Sequence, residues 1–519
     1  MHPALKQGWL GAALALAGGL ALALAFPDWE QPFLSAAALV PLGYALEALI
    51  GPGTPHAIRR AFGRGWIFGL GLFGLGLHWI ARLPLKELTQ PWLLYPALVV
   101  LMAYLALFTG GVGVSYVLLR RARVPAAVAL PIAWLGWEQI RAMGEMGFPW
   151  LSLGYAWFRH PALIQWAAWG GIGAVSLWVA ACNGLLLQAL LTPNRAARAA
   201  LSLAPPVLAT VVALTGAATV RDLPAGRSLR VAIVQPNIAG DIKWDPRYLV
   251  ANLNATVALT GTVAARRPEL IVWPETAVPT YLRYDDRAFT QVTGLVARLG
   301  IPLLTGFPDA RPDAVAGRAI FNSSSVVVPP GQLDGFYDKM HLVPFGERIP
   351  FQRFLPFLGK FELGQAEWMP GEHARALNAG PARAGVMICF ESIFTDIARA
   401  EVRDGADLLV NITNDEWFGP RTAPWQHASM AVFRAVENRT GLVRCANTGV
   451  SFLVDPDGSI RAATPVFRAA TVVEDARLGS GGTFYTRHGD WLPRAWMTLC
   501  VAQLAWCAVA SLLTRGRRR

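Results

Sequence analysis

The stretch Ala384-Gly385-Val386-Met387-Ile388-Cys389-Phe390-Glu391-Ser392 runs from an apolar, strand-like segment into a cysteine and a carboxylate. Two runs upstream have the same design, Val272-Trp273-Pro274-Glu275 and Phe336-Tyr337-Asp338-Lys339, each placing an ionisable side chain beside a strand-like stretch. A glutamate, a lysine and a cysteine so placed are the parts of an activated thiol nucleophile: a base to take the proton, a cation to hold developing negative charge, and a sulfur to attack.

Working outward from Cys389, strands and helices alternate. Strands are expected at 229–234, 270–273, 302–305, 325–328, 335–337, 383–389, 407–412, 442–446 and 451–455. Helices are expected near 246–266, 285–299, 392–403 and 422–438, a pattern that implies a layered α/β domain around a buried sheet. On this reading Cys389 and Glu391 lie on one strand and point to the same face. Residues 345–382 are rich in Phe, Pro and Gly, and Phe345, Phe351, Phe354, Phe357 and Phe361 suggest a lipid-contacting loop.

The rest of the chain is a membrane protein by composition. Of 519 residues 54% are hydrophobic and only 15% charged, against about a quarter charged in soluble domains. Apolar residues crowd into eight stretches of bilayer length, near 8–26, 32–50, 65–84, 92–118, 124–140, 162–192, 200–220 and 491–513. The first is read as a retained helix rather than a cleaved leader, because seven more follow. Gly110-Gly111 and Gly170-Gly171 are the expected bend points of the two longest spans. The expected organisation is seven helices in 1–220, a catalytic domain in 221–490, and an eighth helix with a basic tail in 491–519.

Basic residues set the orientation. Lys6, Arg59, Arg60, Arg64, Arg120, Arg121, Arg123, Arg195, Arg198, Arg515, Arg517, Arg518 and Arg519 fall in one set of loops, and only Arg82, Lys86, Arg141 and Arg159 in the alternate set. Both termini are therefore expected in the cytoplasm and 221–490 on the outer, periplasmic face of a bacterial inner membrane. The net charge of +12 is largely this signal and points to no nucleic acid. The five cysteines have no metal-ligand spacing, so neither metal nor cofactor is expected. Cys389 and Cys445 are the pair in the outer domain, where a disulfide is the plain alternative to a working thiol.

The motifs around Glu275, Lys339 and Cys389 resemble the Glu-Lys-Cys triads of the nitrilase, or carbon-nitrogen hydrolase, superfamily. Further strings narrow the resemblance to the apolipoprotein N-acyltransferase family: Gln235-Pro236-Asn237-Ile238, His341-Leu342-Val343-Pro344-Phe345-Gly346-Glu347, Asn414-Asp415-Glu416-Trp417-Phe418-Gly419, Pro424-Trp425-Gln426-His427, Gly147-Phe148-Pro149-Trp150 and Tyr485-Thr486-Arg487-His488-Gly489-Asp490-Trp491. The resemblance implies an αββα sandwich carried by a multi-span helical membrane domain. It implies transfer of an acyl chain from a membrane phospholipid, through a Cys389 thioester, to the α-amine of a lipoprotein's N-terminal diacylglyceryl cysteine. Glu275 would be the general base and acid, and Lys339 the stabiliser of thiolate and oxyanion. Glu347 and Glu391 would support the triad. Trp244, Asn322, Trp417 and Phe418 would be substrate-binding candidates, with ordinary packing or a turn as their plainer reading. His427 is read as a structural histidine. The competing activity is a membrane-anchored amidase with water as acceptor, and the non-enzymatic alternative a lipid-binding protein on a relict fold. Eight spans favour two lipid substrates over water.

Overall fold

The computed structural model describes residues 8–516 apart from 52–53, 55, 84–90, 224–225, 314–316, 352–353, 355–367, 420–422 and 480. Two compact units emerge. The helices from Trp9–Ala23 to Arg195–Arg221, with Trp491–Gly516, form one, and residues 222–489 the core of the other.

In the helical unit, Leu94–Arg121, Ile172–Leu191 and Arg195–Arg221 are long and apolar enough to cross a membrane. Three expected spans are not continuous helices; in 65–84 the helix Ala57–Gly76 ends and the 3-10 turn His78–Arg82 follows. The stretch 32–50 folds as a 3-10 turn, Pro32–Ala36, followed by the short helix Val40–Glu47. The stretch 162–192 is broken at Gly171, whose φ of 64° is open to glycine and closed to a helix. The break at Gly171 falls at the expected Gly170-Gly171 bend point, whereas hydropathy registers composition, not backbone angles, and gives no sign of the break within 32–50. The helix that carries Gly110-Gly111 runs unbroken over 28 residues. A Cβ on Gly110 would meet the Phe62 ring at 2.7 Å, and one on Gly111 would strike the Trp137 ring. These glycines let neighbouring side chains approach closely.

The second unit is two six-stranded sheets face to face. The first contains β1 (Ser228–Gln235), β2 (Leu270–Val272), β3 (Leu303–Asp313), β4 (Gly317–Val328) and β5 (Gln332–Asp338). The second contains β6 (Leu377–Ala379), β7 (Ala382–Ile388), β8 (Leu408–Thr413), β9 (Leu442–Ala446), β10 (Phe452–Val454) and β11 (Ile460–Arg461). The chain then returns to the first sheet as β12 (Ala470–Arg477), which pairs antiparallel with β1 over eight residues from Ser228 opposite Arg477. The orders are β12-β1-β2-β3-β4-β5 and β11-β10-β9-β8-β7-β6, with β1-β2-β3 and β7-β8-β9 parallel. All six residues of β8 are buried, as a strand covered on both faces requires. Helices Leu249–Ala264 and Asp286–Leu299 close the outer face of the first sheet, Val292, Leu295 and Val296 packing onto Ile271, Trp273 and Leu303. Asp285 caps the second of these helices through Ala288 N–H at 3.0 Å, and Gly300, at φ 66°, ends it. Helices Asp396–Arg403 and Ala423–Asn438 cover the second sheet, completing the αββα sandwich.

β7 stops at Ile388. Cys389 and Glu391 belong to the 3-10 turn Cys389–Ile393, which corrects the expectation that they share a strand face. Because the chain twists out of the sheet at Cys389, the carboxylate of Glu391 is turned back beneath it. Of the loop 345–382, Phe357 and Phe361 lie outside the described residues, while Phe345, Phe351 and Phe354 are 50%, 44% and 70% exposed.

Candidate active site

The ends of β2, β5, β7 and β8 converge on one cluster. Leaving β2, the chain turns at Thr276, a non-glycine residue at φ 45°, and aims Glu275 inward. Glu275 Oε1 accepts from Asn322 Nδ2 on β4 at 2.8 Å, and Oε2 from the Asn414 N–H after β8 at 2.9 Å. Lys339, the residue after β5, brings its Nζ to 3.4 Å from Glu275 Oε1 and 2.7 Å from Glu347 Oε1. Glu347 is fixed in turn by the Val343 N–H at 2.8 Å. The Lys339 side chain is buried; burial alone would lower its pKa, but Glu347 and Glu275 override it and raise it, so the ammonium stays charged.

Cys389 sits at φ 53°, a left-handed conformation costing a side-chain-bearing residue roughly 1–2 kcal/mol. Glu391 anchors it. Its Oε2 accepts from the Ile388 N–H at 2.7 Å and the Tyr337 hydroxyl at 2.9 Å. Its Oε1 accepts from the Met340 N–H at 2.6 Å and the His341 N–H at 3.1 Å. One carboxylate thus ties the backbone before the cysteine to the backbone after the lysine. Burial pushes Glu391 up to about 7, against the pull of the Ile388 amide, Lys339 and the His341 and Met340 amides.

All five cysteines are free. Cys389 is partly exposed, whereas Cys445 is buried and donates to Val234 O and Val272 O at 3.4 and 3.3 Å. Burial and the Glu275 charge push the Cys389 thiol well above its ordinary value, Lys339 pulls it down, and Asp415 pushes it up again. The balance favours the thiol over the thiolate. Under it lies a polar floor. His427 Nε2 is 3.0 Å from Cys389 O and 3.1 Å from Ser392 Oγ, and its Nδ1 is 3.0 Å from Asp415 Oδ1. Asp415 also accepts from Thr413 Oγ1 at 2.9 Å and Arg444 Nη2 at 2.7 Å. Burial, then the Arg444 charge, lower His427, and Asp415 opposes them.

The structure thus brings Glu275, Asn322, Lys339 and Glu347 into hydrogen-bonding contact, with Cys389 within range of their charges. Glu391 accepts from main-chain N–H groups and the Tyr337 hydroxyl rather than from the lysine's ammonium. Trp417 and Phe418 are half-buried in the turn Asp415–Phe418 that follows Asn414, and Phe418 packs 5.3 Å from the His427 ring. Trp244 is 41% exposed on the segment after β1. Its neighbour Lys243, not singled out from sequence, is buried and donates to the Glu275 carbonyl at 3.1 Å. The Asn414 amide was also missed as a site group, although its motif was noticed. Among the described residues no group of three His, Cys, Asp or Glu side chains is placed to hold a metal ion.

A thiol beside a buried carboxylate and a paired lysine, at strand ends of an αββα sandwich, defines the carbon-nitrogen hydrolase class of domain. The carbon-nitrogen hydrolase family model matches residues 230–483, and the model for the apolipoprotein N-acyltransferase N-terminal domain matches 18–185. The chain is 37% identical to the apolipoprotein N-acyltransferase of Geobacter metallireducens over 97% of this chain and 95% of that one. It is 36% identical to that of Azotobacter vinelandii over 99% and 97%. Among solved structures, an amidase from Nesterenkonia sp. is similar at 19% identity and TM-score 0.37, covering 53% of this chain and 98% of that one. The chain belongs to the apolipoprotein N-acyltransferase family, and is an acyltransferase of bacterial membranes built on a nitrilase-like domain.

Proposed function

We propose that the enzyme moves an acyl chain from a membrane phospholipid to the α-amino group of a lipoprotein's N-terminal diacylglyceryl cysteine, through a thioester on Cys389. Glu275 takes the thiol proton as sulfur attacks the ester carbonyl. The oxyanion develops beside the Lys339 ammonium, where a preorganised donor is worth about 100-fold or more in rate. Collapse breaks the ester C–O bond, and the proton on Glu275 passes to the departing lysophospholipid alkoxide. In the second half the amine attacks the thioester, Glu275 accepts its proton, and collapse expels the Cys389 thiolate, leaving an amide. Glu347 keeps Lys339 oriented, and Glu391 keeps Lys339 and Cys389 in register. Trp244, Trp417 and Phe418 are proposed to meet the acyl chains.

The observation that carries this reading is the Glu275–Lys339–Glu347 cluster at the strand ends flanking a strained, partly exposed Cys389. Relatives named for N-acyl transfer over nearly the full chain favour an amine over water as the acceptor. The catalytic domain is proposed to occupy 221–490 on the periplasmic face, with both termini cytoplasmic, as the loop charges suggest. The test is intact mass of the purified protein in detergent after incubation with phospholipid. An acyl-sized increase is expected that hydroxylamine removes and Cys389→Ala abolishes. Lipopeptide acylation with no such adduct on the wild type overturns the thioester.

A further inference from the structure

A second lysine enters the site from the opposite side to Lys339. After β1 the chain passes through Asn237, at φ 56°, and is pinned by Asn447, whose Oδ1 accepts from Ile238 N–H at 3.0 Å while its Nδ2 donates to Ile238 O at 2.7 Å. The turn Gly240–Lys243 follows. Glu416 Oε1 accepts from the Gly240 N–H at 2.6 Å, and a Cβ at Gly240 would lie 2.7 Å from Glu416 Oε2, so the turn seats directly on that carboxylate. Asn252 Nδ2 holds Ile242 O at 2.9 Å. The turn so fixed delivers Lys243, 3% exposed, with Nζ on the main-chain carbonyl of Glu275 at 3.1 Å.

Such a burial needs a reason, because an ammonium out of water is costly unless compensated. A carbonyl is a weak compensation. The charged and titratable groups facing Lys243 are Glu275 from the end of β2, Glu416 from the turn after β8, and Cys389 from the end of β7; its neighbour Asp245 is taken by Arg247. Glu275 and Asp415 set negative charge near a thiol that must ionise, against the ammonium of Lys339, while Glu347 draws on that same ammonium. Burial lowers Lys243 to about 8, so it remains mostly cationic at neutral pH and loses its charge as the pH rises past that point.

We propose that Lys243 is a positioning residue of the transfer centre, holding the Glu275 main chain and supplying the second positive charge that allows Cys389 to ionise. The proposal rests on Cys389 being the nucleophile, and it adds a link between the Trp244-bearing segment and the thiol. If that segment leaves, the cation leaves with it.

Three variants separate charge from contact. Lys243→Gln keeps a donor for the Glu275 carbonyl without the charge, Lys243→Met removes both, and Lys243→Arg keeps both. The readout is the rate of Cys389 alkylation by iodoacetamide between about pH 6 and about pH 10, followed by intact mass with Cys389→Ala as background. Alkylation uses no lipid, so it reports on Lys243 even where wild-type thioester formation fails. Lys243→Gln is expected to move the alkylation profile up by about one pH unit, about tenfold slower at pH 7. Lys243→Met is expected to move it at least as far, and Lys243→Arg to restore it. A Lys243→Gln profile superimposed on the wild type, or a slowing that Lys243→Arg does not restore, overturns the proposal.

Discussion

Replacing Glu275 by Gln separates the two effects that this carboxylate exerts on Cys389. The structure accommodates the amide. Its carbonyl can still accept from the Asn414 N–H, while its NH2 group takes the place of Oε1 opposite Asn322. The Asn322 amide can then turn, because its Oδ1 is buried with no hydrogen-bond partner and becomes the acceptor. Lys339 keeps Glu347 at 2.7 Å and loses the longer contact of 3.4 Å to Glu275. The fold should lose only about 1–2 kcal/mol, visible as a small drop in melting temperature. Chemistry should suffer far more, since loss of a general base removes about 10²–10⁴ in rate. Thiol ionisation should move the other way. Glu275 raises the Cys389 pKa, and removing one adjacent charge is worth about one unit, or 1.4 kcal/mol. The variant should therefore alkylate with iodoacetamide at lower pH than the wild type while forming thioester from phospholipid at least a hundredfold more slowly. Thioester formation within tenfold of the wild type would refute Glu275 as base. An alkylation profile moved to higher pH would refute its electrostatic effect on the thiol.

Four further outcomes are expected. Glu391→Ala strands three main-chain N–H groups and a phenol, each costing roughly 1–3 kcal/mol when buried unpaired; it should lower the melting temperature strongly and abolish transfer, and a stable, active Glu391→Ala protein would contradict its clamping role. Asp415 is held at about 2 against an ordinary 3.8, burial being outweighed by Arg444 and His427; it contributes about 2 kcal/mol present above pH 3.8 and lost as pH falls through about 2, so denaturant titrations should find Asp415→Asn less stable than the wild type at pH 6, with the gap shrinking in acid. In Gly306→Ala the new Cβ lies 2.7 Å from Thr276 N and 3.0 Å from Glu275 Cα; overpacking against main chain costs about 1–3 kcal/mol, and kcat should fall more than stability, by tenfold or more, in lipopeptide acylation assays. Finally, the raised Cys389 thiol should oxidise to sulfenic acid more slowly at pH 7 than a free cysteine, which dimedone labelling with mass spectrometry will measure.

The sequence exposed Glu275, Lys339 and Cys389 because each follows a short apolar strand, where the side-chain pattern and the chemistry are local. Asn322 and Glu347 were also legible, though not that Asn322 would touch Glu275 directly, since that contact joins β4 to the end of β2. Glu391 was found with the wrong geometry: an apolar run gives no sign of where the backbone turns left-handed, and the switch at Cys389 reverses the direction of its carboxylate. Lys243, between Ile242 and Trp244, reads as a solvated lysine; only the pinning of its turn by Asn447, Glu416 and Asn252 buries it. Strand β12 escaped because its burial follows no clean alternation and its partner, β1, lies at the far end of the domain sequence.

These pieces share one physical logic. A cysteine enzyme can hold a standing thiolate or make one on demand, and the first needs excess positive charge around the sulfur. Here burial, Glu275 and Asp415 favour the thiol form of Cys389, and Lys339 opposes them. That balance disfavours a standing thiolate, and in the proposed mechanism ionisation is coupled to attack, with base, cation and sulfur all in place when the ester carbonyl arrives. Coupling of that kind depends on geometry, where a displacement of about 1 Å costs about 100-fold. On that reading the fold spends backbone strain at both Thr276 and Cys389 and fixes the second with a carboxylate bonded to the neighbouring Ile388 N–H. On the proposed mechanism, Glu391 serves by tying the backbone before Cys389 to the backbone after Lys339, so that the lysine and the thiol keep their relative placement.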